Sequence, residues 1–148
     1  MSTHTQFVQA VRPWGNAERK SSAVLVVGGF DSDLIALLHI LGDTDWTLYW
    51  NTTWSDAVET LRCRPISVVL CDRDLPDGGW KDLLELTSAM SSPPPVIVTA
   101  RFANERLWAE VLSLNGYDVL TKPFDADEVI RTVGLALECW TSGGASAA

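Results

Sequence analysis

Three side chains in this sequence have the chemistry and the setting to handle a phosphoryl group: Asp72, Thr99 and Lys122. Each follows an apolar run of strand length. Val68-Val69-Leu70-Cys71 leads into Asp72, Val96-Ile97-Val98 into Thr99, and Val119-Leu120-Thr121 into Lys122-Pro123. In an open parallel sheet, ligands and chemistry collect just beyond the carboxyl ends of the strands. A carboxylate, a hydroxyl and an ammonium meeting there make a phosphorylatable aspartate with two partners for the phosphoryl oxygens. Taken alone, Asp72 in Asp72-Arg73-Asp74-Leu75-Pro76-Asp77-Gly78-Gly79 reads as a turn former bonded to its own backbone. The other two strand ends lift it above that reading.

The elements that must position these residues alternate regularly. Strands are predicted over 24–27, 47–50, 66–71, 96–99 and 119–121. Between them lie apolar stripes of helical spacing. Leu34, Leu37, Leu38 and Leu41 follow Asp31 as N-cap, and Gly42 closes that helix. Trp54, Ala57, Val58 and Leu61 follow Thr53; Trp80, Leu83, Leu84 and Thr87 form a third stripe. Leu107, Val111 and Leu114 form a fourth, ended by Gly116. Asp125 with Glu128 opens the last helix, whose stripe is Val129, Val133, Ala136, Leu137 and Trp140. Five alternations with short connections predict an α/β fold, a parallel sheet covered on both faces. The expected boundaries are a mobile N-terminal arm over 1–21, one domain over 22–141 and a frayed tail over 142–148.

Composition narrows the function classes. A net charge of −8 over 148 residues, with no basic run, argues against nucleic acid as a partner. No segment has the length and apolarity of a membrane span or a signal peptide, so a cytoplasmic protein is expected. Cys63, Cys71 and Cys139 are odd in number, lack metal spacing and read as reduced thiols.

With these residues in place, the chain resembles the receiver domain of bacterial two-component response regulators over roughly 22–140. The matching features are the buried first strand, the Asp72-Arg73-Asp74-Leu75-Pro76 turn, Thr99-Ala100, and Thr121-Lys122-Pro123-Phe124. The resemblance implies a flavodoxin-like (βα)5 doubly wound sheet with strand order 2-1-3-4-5. It implies Asp72 as phosphoacceptor, Thr99 as switch hydroxyl, Lys122 as phosphoryl partner and a cis peptide before Pro123. Two departures stand out. Gly28 and Gly29 occupy the positions where receivers carry the acidic pair that holds Mg²⁺. Only the Asp72 carboxylate and the Asp74 carbonyl then remain for a metal, so Mg²⁺ is expected to bind weakly or not at all. Val119 stands where an aromatic switch residue is usual. By the same resemblance Trp108 and Val119 belong to a partner or homodimer face.

Other motifs fail on spacing. Asp72-x-Asp74 lacks the remaining ligands of a calcium loop, with Pro76, Asp77 and Leu83 at its fifth, sixth and twelfth positions. Gly28-Gly29 lacks the spacing of a dinucleotide loop and the lysine of a P-loop. The expectation is a stand-alone, non-enzymatic receiver in phosphorelay signalling. Its partners would be a sensor histidine kinase or phosphotransfer protein and a downstream protein. A phosphorylation-independent pseudo-receiver is the alternative. A haloacid-dehalogenase-type phosphatase is a distant second, because two strand–helix units precede Asp72.

Overall fold

The computed structural model describes residues 6–9, 22–29, 31–75 and 79–146. The strands are β1 (Gln6–Gln9), β2 (Ala23–Val27), β3 (Thr47–Asn51), β4 (Val68–Asp72), β5 (Val96–Ala100) and β6 (Asp118–Thr121). The helices are α1 (Ser32–Gly42), α2 (Trp54–Cys63), α3 (Trp80–Ser88), α4 (Glu105–Ser113) and α5 (Ala126–Ser146). They build one sheet in the order β1-β3-β2-β4-β5-β6. From β3 to β6 every pairing is parallel, which is the expected 2-1-3-4-5 order of the five predicted strands.

Two apolar layers sandwich the sheet. One contains Leu25, Val27, Val69, Cys71, Val98 and Val119 with residues of α2, α3 and α4. The other contains Val24, Val26, Val68, Leu70, Ile97 and Leu120 with residues of α1 and α5. Strand residues alternate between the layers because successive side chains point to opposite faces. Both layers are filled, so the strands read as unbroken apolar runs rather than alternating ones.

Three helices start where expected, whereas α1 ends at the Asp43 C-cap rather than on Gly42, and α4 ends at Leu114, with Asn115 rather than Gly116 taking the positive φ. Asp31 accepts from the Leu34 N–H at 2.8 Å, Thr53 from Asp56 at 3.2 Å and Asp125 from Glu128 at 3.0 Å. Each satisfies an amide that the first helical turn leaves without a partner.

Three other expectations change. The arm over 1–21 contains a strand: Gln6–Gln9 pairs antiparallel with β3, whose outer edge offers backbone groups to any extended segment. The rest of that arm, Trp14 included, lies outside the described residues, as do Phe30 and Pro76, Asp77 and Gly78 of the turn. The tail is helical to Ser146, since extending an existing helix needs only one more residue ordered per hydrogen bond. Leu114 is the C-cap of α4 and is exposed, because the buried stripe stops at Val111 one turn earlier.

Candidate functional site

Strand parity brings the candidate residues together. Val68 and Leu70 of β4 face the α1/α5 layer, so Asp72, two residues on, emerges on that same side where helical cover ends. The same step carries Ile97 to Thr99, Val26 to Gly28 and Leu120 to Lys122. Asp72 and Thr99 are direct partners in the β4–β5 register. Gly28, Asp72, Thr99 and Lys122 thus line one cleft, with Asp31 and Phe124 at its sides. The free space inside is about 10 Å³, room for roughly one water molecule.

Within the cleft the Lys122 ammonium donates to Asp72 Oδ2 at 2.8 Å. Oδ1 accepts from the Asp74 N–H at 3.2 Å, the bond to its own backbone that a turn-forming Asp makes. Both carboxylate oxygens are therefore engaged. The two charged side chains keep only 15% and 10% of their surface exposed, and Thr99 is buried. The Lys122 backbone N–H donates to the Ala100 carbonyl at 3.0 Å, fixing the start of the lysine against β5. The Lys122–Pro123 peptide is cis. Beneath the site, burial and then the neighbouring Asp72 charge push the Cys71 thiol far above its ordinary range, leaving it an inert apolar filler.

Gly28 is gripped through its backbone. Its N–H donates to the Asn51 carbonyl at 3.0 Å, and its carbonyl accepts from the Trp50 indole at 2.9 Å. Trp50 is a site neighbour that sequence reading did not single out. It lies 22 residues away, and only the β2–β3 pairing brings it near.

The donor set does not fit Mg²⁺. This ion demands near-octahedral oxygen ligation. Gly28 and Gly29 offer no side-chain oxygen, Lys122 holds one oxygen of Asp72, and Asp31 is turned into its own helix as cap. Asp74 meets Asp72 through its backbone N–H. No three Asp, Glu, His or Cys side chains converge among the described residues. What the cleft does hold is a carboxylate, a buried hydroxyl and a cation.

The family model of the response regulator receiver domain matches residues 24–134. The chain belongs to that family. It is a receiver domain of two-component signalling, a class of module that meets histidine kinases or phosphotransfer proteins. It is 32% identical over 117 residues to the swarming motility regulation protein RssB of Serratia marcescens, covering 73% of this chain. The chain spans 53% of that relative's length. Solved receiver domains share the fold. That of an HD domain-containing protein from Pseudomonas fluorescens Pf-5 has a TM-score of 0.76 at 23% identity, covering 83% of this chain and 91% of that one. That of a putative Luxo repressor protein from Vibrio parahaemolyticus has a TM-score of 0.73 at 25% identity, covering 82% and 93%. No helix among the described residues of this receiver is long and apolar enough to cross a membrane.

The two residues assigned to a partner face part company. Trp108 is 39% exposed on α4, one turn before the more exposed Leu112. Val119 is 2% exposed and packs in the layer under α3 and α4. Strand parity puts it on the sheet face that α4 covers, away from solvent.

Proposed function

We propose that this receiver accepts a phosphoryl group on Asp72 from a histidine kinase or phosphotransfer protein and signals to a downstream protein. The observation that supports the reading is the convergence of Asp72, Thr99 and Lys122 in one cleft, with Lys122 at 2.8 Å from the carboxylate. An Asp72 oxygen attacks phosphorus in line with the donor's leaving group. Oδ1 is the freer one, held by a single 3.2 Å backbone bond. The P–O or P–N bond to the donor breaks, and its electron pair departs with the leaving group. Lys122 then neutralises part of the charge on the aspartyl phosphate, and the Thr99 hydroxyl is a hydrogen-bond partner for a phosphoryl oxygen. The test is intact mass after incubation with acetyl phosphate, with Asp72→Asn as control. A gain of one phosphoryl group in the natural protein alone supports the reading; an equal gain in the variant overturns it.

A second reading, a binding module indifferent to phosphorylation, is favoured by one feature: both oxygens of Asp72 are already occupied. It expects no mass gain, and a lower thermal midpoint for Asp72→Asn, because the carboxylate would then serve structure.

A further inference from the structure

A second cation follows the strand end that carries Thr99. Arg101 lies two residues beyond Thr99, and that spacing aims its side chain to the Asp72 side of the sheet. It donates to Asp33 Oδ2 at 2.6 Å, an ion pair between residues 68 positions apart in the chain. Asp33 belongs to the first turn of α1, which leaves from β2. β2 and β5 flank β4 in the sheet, about 10 Å apart at two strand spacings. The pair therefore ties together the two segments on either side of the strand that ends in Asp72. The loop carrying Arg101 is held on its other side too, since Arg73 donates to the Phe102 carbonyl at 3.2 Å.

We propose that Arg101 is a second phosphoryl-binding cation of this site, held in reserve by Asp33 and released to the phosphoryl group as it forms on Asp72. The proposal rests on Asp72 being the phosphoacceptor. Transfer from acetyl phosphate forms a bond from an Asp72 oxygen to phosphorus and breaks the P–O bond to the acetyl group, which leaves as acetate. A singly charged carboxylate thereby becomes an acyl phosphate of about two negative charges, with only Lys122 beside it. Receivers with an acidic pair can recruit a metal to balance this; Gly28 and Gly29 offer it no ligands. A guanidinium suits the task, since it forks onto two phosphoryl oxygens. Its present partner is a single carboxylate oxygen of Asp33, whose side chain is 13% exposed, while the Arg101 side chain is 57% exposed and can turn toward a second anion without leaving the core.

The experiment is a time course of intact mass with acetyl phosphate and a metal chelator, comparing the natural chain with Asp33→Asn, Arg101→Ala and Asp72→Asn. Both Asp33→Asn and Arg101→Ala delete the same ion pair. A merely structural latch moves their labelling rates in the same direction. The proposal expects opposite directions: about tenfold slower labelling for Arg101→Ala, and about two- to fivefold faster for Asp33→Asn. A second arm titrates inorganic phosphate into Asp72→Ala, which leaves Lys122 and Arg101 without the native anion between them. Adding Arg101→Ala to that variant should weaken phosphate binding about tenfold. Labelling that does not change with Arg101, or phosphate binding that ignores it, overturns the role given to Arg101 while leaving Asp72 as acceptor. Absent labelling with Arg101-dependent phosphate binding overturns the acceptor reading and leaves the anion-binding role of Arg101.

Discussion

Restoring two carboxylates in the Gly28→Asp/Gly29→Asp variant should lower stability without metal and create Mg²⁺ affinity. The backbone permits the change, since neither glycine lies in the left-handed region. A Cβ on Gly28 meets Asp72 Cβ at 3.4 Å and Asp72 Oδ2 at 3.7 Å, ordinary contact distances; a Cβ on Gly29 meets nothing within 4 Å. The first new carboxylate then lies on the order of 5 Å from that of Asp72, a repulsion of about 3 kcal/mol at an effective dielectric near 20. Rotation toward solvent relieves part of this, and the second carboxylate is exposed, so a net loss of about 2 kcal/mol is expected. At roughly 2–4 °C per kcal/mol for a chain near this size, the thermal midpoint should fall by about 6 °C. Millimolar Mg²⁺ should recover it, because a divalent ion gains oxygen ligands while cancelling the repulsion. The assay is the thermal midpoint across a Mg²⁺ titration, with Ca²⁺ and added NaCl as controls. The reasoning fails if the natural protein shows a Mg²⁺-dependent rise that Asp72→Ala abolishes, or if the metal-free variant melts with the natural protein.

Two further outcomes follow from packing. Gly116→Ala should cost about 2–3 kcal/mol in urea denaturation, because a Cβ there collides with Val111 Cγ1 and sits 2.9 Å from the Val111 carbonyl oxygen, which is fixed in α4; a loss under about 0.5 kcal/mol would contradict this packing. Trp108→Ala should weaken self-association or partner capture in sedimentation or pull-down while moving the thermal midpoint little, since the residue is 39% exposed. A large midpoint drop would show that the ring is core.

Much of the site was legible because its determinants are local. The runs ending in Asp72 and Thr99, and the caps at Asp31, Thr53 and Asp125, are signals within a few residues, and each sits where its pattern placed it. What was missed is mostly long-range. Trp50 reaches Gly28 through strand pairing, and Arg101 reaches Asp33 across the sheet; neither contact has a local signature. The strand at Gln6–Gln9 is four residues long and exists only against β3. The tail over 142–148 was expected to fray, yet the helix runs through Gly143 and Gly144 to Ser146 once residues 126–139 are in place. Val119 was assigned to a partner face by the likeness of its position to a switch residue, but both faces of β6 are covered and Val119 lies in the layer with α4.

The strand at Gln6–Gln9 has a consequence for how the chain is made. It is synthesised before everything it touches, and its partner Thr47–Asn51 emerges some forty residues later. Once paired, it makes a four-residue strand the rim of the sheet on that side. A chain shortened to begin at Ser22 would keep its cleft but present the whole length of β3 to its neighbours. What the segment changes is which backbone stands at that rim, since its four residues pair with Thr47 to Trp50 of β3.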